Sequence, residues 1–153
     1  MMGTLSILPK YVLLVSMVLI GCFVATNAHA DTRSCTLKEA YAAEEESDTF
    51  RSWSDLYRSY IKYSHCDDGA ISEGYSYSVT ELLTRHWNEF NSLMRLAARS
   101  NHFEAFVVSH INETMSPSDA DEIIDNALNK CPKLGVELCA RIGAAAQLAK
   151  SRL

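Results

Sequence analysis

Residues 53–86 read WSDLYRSYIKYSHCDDGAISEGYSYSVTELLTRH, and this stretch decides the fold. Trp53, Leu56, Tyr57, Tyr60, Ile61 and Ser64 recur at i, i+3, i+4, i+7, i+8 and i+11. That is one apolar stripe of an amphipathic helix, with Ser52 or Ser54 available to cap its start. The stripe stops before Cys66-Asp67-Asp68-Gly69. A second helix then starts near Asp68 and runs to about His86, with Ile71, Tyr75, Val79, Leu82 and His86 on its apolar face. Ala70, Gly74 and Ser78 form another line at i, i+4 and i+8, made only of small side chains. Such a strip lets a neighbouring helix approach closely, which offsets the roughly 1 kcal/mol that a mid-helix glycine costs.

Helical spacing continues in both directions. Upstream, Thr36, Leu37, Ala40 and Tyr41 predict a helix over 36–46. Its Glu44-Glu45-Glu46 end opposes the helix dipole and should fray. Downstream, Trp87, Phe90, Leu93, Met94 and Ala97 predict a fourth amphipathic segment, and Phe103, Phe106, Val107, His110 and Ile111 a fifth. Ser116-Pro117-Ser118-Asp119 is a helix start, with Ser116 as cap, Pro117 in the first position and Asp119 reaching back to the cap. The helix it opens carries Ala120, Ile123, Ile124, Ala127 and Leu128 and ends at Cys131-Pro132. A last helix holds Leu138, Ile142, Ala145 and Leu148, with Lys150 and Arg152 suited to its C-terminus. No stretch alternates apolar and polar residues long enough to suggest a sheet. The fold class is all-α, a small single-domain bundle of five to seven helices.

Ahead of this domain, residues 11–25 carry no charge, a run shorter than the about 20 residues a membrane span needs. Lys10 precedes it and Ala28-His29-Ala30 follows. Charged start, apolar middle and small-x-small site describe a secretory signal peptide over 1–30, leaving 31–153 as the exported domain. A second cut stays open. Leu19-Ile20-Gly21-Cys22 fits a lipobox, which makes Cys22 the lipidated N-terminus of an envelope lipoprotein, although Phe23 and Val24 prolong the apolar run beyond it. Either cut removes Cys22 from the five cysteines and leaves Cys35, Cys66, Cys131 and Cys139. An even set in an exported chain reads as two disulfides, and the absence of C-x-x-C or C-x-x-H spacing argues against zinc. Cys35 opens the first helix and Cys66 closes the second, positions that coincide in an antiparallel hairpin. Cys131 and Cys139 flank the last short connection. Pairing them so closes loops of roughly 32 and 9 residues, worth about 3.7 and 2.6 kcal/mol in the chain-entropy treatment. Localisation is therefore periplasmic or secreted, with membrane attachment only through Cys22.

Losing Lys10 takes the net charge from −5 to −6. An acidic domain is repelled by nucleic acid and attracted to basic proteins. Arg95 and Arg99 share a face, too few cations to neutralise a phosphate track. No Ser-x-x-Lys, Gly-x-Ser-x-Gly or His-Glu-x-x-His appears, and haem attachment through C-x-x-C-H is absent. Glu73 and Glu81 sit i, i+8 on one helix, about 12 Å apart, too far for a glycosidase pair. The densest polar cluster is His65-Cys66-Asp67-Asp68-Gly69 with Glu73. Secreted phospholipases A2 also place His and Asp beside half-cystines, but their Gly-rich calcium loop is missing here. Asp67, Asp68 and Glu73 are a candidate cation cluster, against the simpler reading that Asp67 and Asp68 cap a helix. His86, His102 and His110 lie on or beside apolar stripes, where a histidine is more often structural than catalytic. Asn112-Glu113-Thr114 is a glycosylation sequon, meaningful only in a eukaryote. Tyr63 and Tyr77 fall off the apolar stripes and should be exposed, and tyrosines with an acidic rim suit a protein-binding patch as well as a core edge.

The run from Cys66 to Val79, Cys-Asp-Asp-Gly-Ala-Ile-Ser-Glu-Gly-Tyr-Ser-Tyr-Ser-Val, resembles the signature of a family of small exported proteobacterial proteins. The resemblance extends through Phe106-Val107-Val108-Ser109-His110-Ile111-Asn112-Glu113-Thr114 to Cys131-Pro132. It departs at Ser72 and Tyr77, where the family has Ala and Asp. It implies Gram-negative export and a helical fold, and it carries no catalytic roles. In size, export, helicity and cysteine usage the chain is also similar to periplasmic immunity proteins that neutralise amidase toxins of type VI secretion. No motif aligns to them, so that likeness is architectural. The expectation is an exported protein without cofactor or catalysis that binds a protein partner, an inhibitor or immunity-like protein, with Asp67, Asp68, Glu73, Tyr77 and His110 as candidate binding residues. The alternatives are a metal-dependent enzyme or binder built on Asp67, Asp68 and Glu73, and a structural lipoprotein held at Cys22.

Overall fold

The computed structural model describes residues 33–153; the signal peptide expected over 1–30, with Cys22 in it, lies outside the described residues. Seven α-helices follow one another without a strand among the described residues: α1 (Leu37–Ser47), α2 (Trp53–Tyr63), α3 (Gly69–Arg85), α4 (Phe90–Ala97), α5 (Asn101–Ser109), α6 (Pro117–Asn129) and α7 (Val136–Lys150). Short 3-10 turns at Ser64–Cys66, Trp87–Glu89 and Lys133–Gly135 lead into α3, α4 and α7. The fourth expected segment thus begins as a 3-10 turn, and Trp87 sits in that turn with its indole N–H donated to Lys130 O at 3.0 Å.

Each helix start has a local cause. Thr36 and Glu39 form a reciprocal capping box, with Glu39 Oε2 accepting from both the Thr36 backbone N–H and its hydroxyl. Ser52, Ser100 and Ser116 cap α2, α5 and α6, and Pro117 opens α6 as expected. Asp68 Oδ1 accepts from Gly69 N–H at 2.8 Å, and Gly69 takes φ +51°, a conformation that glycine adopts without a Cβ penalty.

α3 is the central helix, packed against α1 and α6, while α6 and α7 form a tight hairpin. Its strip of small residues does what its spacing implies. A Cβ on Gly74 would stand 2.0 Å from Ser47 Oγ and 2.8 Å from Ser47 Cβ, so only glycine admits the end of α1. One turn later Ser78 Oγ donates to Ser47 O at 2.7 Å. That bond, with Thr49 Oγ1 donating to Glu46 O at 2.8 Å, holds the acidic end of α1 as helix through Ser47. The helix runs through Ser47 where fraying was expected, and Ser78 of α3 supplies a donor for a carbonyl that the dipole argument leaves open.

α2 is rotated from its expected stripe. Tyr63, expected outside, is 4% exposed, and Ile61, expected inside, is 61% exposed. The inward line is Trp53, Leu56, Ser59 and Tyr63. Ser59 turns in because the buried Tyr75 hydroxyl needs a partner, and their oxygens lie 2.9 Å apart. Leu128 and Leu148, also assigned inward, point to solvent, where α6 and α7 meet through Ala127 and Gly143 instead. The core gathers Trp53, Tyr75, Phe90 and Phe103 among its largest fully buried side chains. Phe106 meets Tyr60, Tyr75 and His110 at ring distances of 4.9, 5.1 and 4.3 Å.

Both disulfides pair as the hairpin argument requires, Cys35 with Cys66 and Cys131 with Cys139. They fit a chain that folds in an oxidising compartment. No helix among the described residues is long and apolar enough to cross a membrane.

Gly74→Ala should lower the unfolding free energy by about 1–3 kcal/mol despite alanine's better helix propensity, because Ser47 cannot retreat without moving α1. Urea titration of the variant checks this, and Ser47→Gly in the same chain should recover part of the loss. Glu39 carries the pH dependence of the α1 start. The Thr36 hydroxyl and backbone N–H, then His65, hold its carboxyl down to about 2. A depressed acid stabilises the fold above its ordinary value of 4.5 and stops doing so as pH falls through about 2. Glu39→Gln should therefore narrow the stability difference between pH 6 and pH 2 in denaturant titrations at the two values.

Candidate functional site

Two groups of polar side chains are built into the bundle, one buried and one exposed. The buried one joins three segments: the turn before α3, the middle of α3 and the end of α5. His110 Nε2 lies 3.0 Å from Asp67 Oδ2, and His110 Nδ1 lies 3.0 Å from Ser76 Oγ. Asn112 Nδ2 donates to Ser76 Oγ at 2.9 Å, and that hydroxyl donates to Ser72 O at 2.9 Å. With the Ser76 proton on Ser72 O, both ring nitrogens of His110 donate, and Asp67 supplies the counter-charge. With the hydroxyl rotated toward Nδ1, the neutral ring is satisfied as well.

Asp67, His110 and Ser76 are the residue types of an acyl-transfer triad, but the environment is that of a structural clamp. Ser76 is 1% exposed, and its hydroxyl already meets three partners, Ser72 O, His110 Nδ1 and Asn112 Nδ2. A second relay runs from Tyr75 through Ser59 to Glu46, where Ser59 Oγ donates to Glu46 Oε1 at 3.2 Å. Burial pushes the Tyr75 phenol up to about 12, and the Ser59 hydrogen bond pulls the other way.

The exposed group lies on the outer face of α3. Tyr77 is 51% exposed and stands between two hollows. One is lined by Glu44, Asp48, Arg51 and Glu73, the other by Glu73, Glu81, Thr114 and Asp119. Arg85 pairs with Glu81, whereas Glu44, Asp48 and Glu73 have no ion-pair partner among the described residues.

The sequence-derived candidates therefore separate. Asp67 and His110 are joined, Asp68 caps α3, and Glu73 and Tyr77 lie on the surface. Asp67, Asp68 and Glu73 do not converge as a cation cluster: among the described residues the group of His, Cys, Asp and Glu close enough to do so is Glu39, His65 and Cys66. Ser76 was not singled out, and Asn112 only as part of a glycosylation sequon, although the i, i+4 relation of Ser72 and Ser76 and the segment His110-Ile111-Asn112 mark them. Of the remaining histidines, His86 faces Glu89 at 3.9 Å and His102 is exposed on α5. No family model, curated protein or solved structure matches the chain.

Asp67→Ala leaves the buried His110 N–H without its acceptor, and His110→Ala strands Ser76 and Asp67. Each should cost about 1–3 kcal/mol. The double variant should cost less than the sum, with a coupling of about 0.5–3 kcal/mol from a double-mutant cycle in urea.

Proposed function

We propose that this chain is an exported, non-catalytic binding protein of the periplasm, an inhibitor or immunity-like protein that occludes a basic surface of a partner protein. The observation that carries this reading is the Tyr77 ridge, with Glu73 shared by the two hollows and further carboxylates on both sides. A half-exposed tyrosine supplies contact area at low entropy cost, and the carboxylates around it select lysine and arginine. The net charge of the exported domain steers such a partner from a distance. The leader expected over residues 1–30 and the two disulfides support the compartment.

A photo-reactive benzoylphenylalanine in place of Tyr77, introduced in the exporting cell, should cross-link one partner that mass spectrometry can identify. Binding of that purified partner should weaken at least tenfold with Glu73→Lys and Glu81→Lys together and fall as salt rises. A partner that binds the doubly reversed variant equally well, or that cross-links only when the photo-reactive residue replaces Leu134, exposed in the 3-10 turn before α7, would sink the proposal.

A further inference from the structure

The corner where α1 starts and α2 ends holds a donor set that the disulfide only partly explains. The His65 side chain is 1% exposed, and its Nε2 is buried without a hydrogen-bond partner. Glu39 Oε1 faces that nitrogen at 3.4 Å, outside hydrogen-bond geometry, while the other carboxylate oxygen is occupied by Thr36. Ligand atoms of Glu39, His65 and Cys66 all lie within 4.8 Å of one another. The fourth potential donor is Cys35, bonded to Cys66. A buried imidazole nitrogen that faces a carboxylate, with the Cys66 sulfur in the same cluster, yet is hydrogen-bonded to neither, is costly unless another state uses it.

We propose that in its dithiol state this corner is a metal site of composition Cys35, Cys66, His65 and Glu39 that takes a zinc-like divalent cation, so that metal and disulfide are alternative staples of the same junction. The donors are those zinc favours, and sulfur at about 2.3 Å with nitrogen and oxygen at about 2.0–2.2 Å defines a tetrahedron of edge about 3.3–3.8 Å. Glu39, His65 and Cys66, already within 4.8 Å of one another, draw in by at most about 1.5 Å to reach it, while the two sulfurs move apart from their bonded distance to about 3.8 Å and bring Cys35 in as the fourth donor. The spacing that argued against zinc concerns ligands from one local loop. Here two come from the Ser64–Cys66 turn and two from the α1 start, brought together by the fold.

The chemistry balances as follows. A dithiol reductant transfers two electrons and two protons to the Cys35–Cys66 bond and closes to its own disulfide. The exposed Cys35 is the sulfur that this reductant reaches, since Cys66 is buried. The cation then displaces both thiol protons to solvent. Arg33 Nη2 now approaches His65 Nδ1 at 2.7 Å, which leaves the ring proton on Nε2. Metal at Nε2 moves that proton to Nδ1 and turns Arg33 aside. The guanidinium nearby offsets the single negative charge left by two thiolates and a carboxylate around a dication.

Cobalt(II) is the probe. In a Cys131→Ser/Cys139→Ser background, the protein is reduced anaerobically, freed of reductant and titrated with Co²⁺. One equivalent should give a thiolate-to-cobalt charge-transfer band with tetrahedral d–d bands, displaced by Zn²⁺ and absent from the oxidised protein. Cys66→Ser should abolish the band, and His65→Ala should weaken Co²⁺ binding at least tenfold. If reduction unfolds the chain, Zn²⁺ should restore its helical circular dichroism. A reduced, helical protein without the band overturns the proposal. So do a band of equal affinity in His65→Ala and Glu39→Gln, and an unfolded reduced chain that Zn²⁺ does not refold.

Discussion

The contact of Ser47 with Gly74 is the constraint from which the rest of the arrangement follows. Backbones come this close only where a Cβ is missing, and here the missing Cβ would overlap Ser47 directly. Because α1 ends on α3 at that point, its last carbonyls receive donors from Ser78 and from Thr49 just beyond its end. Glu46 is thereby brought to Ser59 and Glu44 to the hollow beside Tyr77. The other end of α1 is brought to the end of α2, where Cys35 meets Cys66 and Glu39 meets His65. A larger residue at position 74 would move all of these together.

The networks around Tyr75 and His110 follow one rule, that burial without a partner is more expensive than a hydrogen bond is rewarding. Tyr75 draws Ser59 inward and so turns α2, exposing Ile61. His110 draws Asp67, Ser76 and Asn112 around it and so fixes the end of α5 against the turn before α3. These bonds contribute modestly to net stability, yet they choose among helix rotations that the apolar core alone would accept.

Much of this was legible in the sequence where the cause is local. The caps at Ser52, Asp68 and Ser116, the flat strip of Ala70, Gly74 and Ser78, and both cysteine pairings follow from residues near one another or from hairpin topology. What escaped were effects whose cause lies in a distant partner. Periodicity placed Ile61 inside and Tyr63 outside because it cannot see the Tyr75 hydroxyl waiting in α3. The dipole argument frayed α1 because it cannot see Ser78. Asp67 and His110 are separated by 43 residues, and no spacing rule joins them. The Thr36-x-x-Glu39 capping box, by contrast, was a readable signal for the start of α1.

α3 shows why the molecule's surface carries more meaning than its core. Residues four apart stack on nearly one line of a helix, so its length divides into four ladders. Ile71, Tyr75 and Val79 fill the core. Ala70, Gly74 and Ser78 include the residues that admit and bind α1, and Ser72 and Ser76 serve the His110 clamp. Each of these three is dictated by what it packs against. Glu73, Tyr77 and Glu81 form the fourth, and packing dictates none of them. Glu81 pairs only with Arg85 of its own helix, Tyr77 is half out in solvent, and Glu73 pairs with nothing described. A helix needing only solubility there would do as well with lysine or alanine. The tyrosine set between two glutamates is unaccounted for by the fold, which is the physical reason for seeking its explanation in a partner.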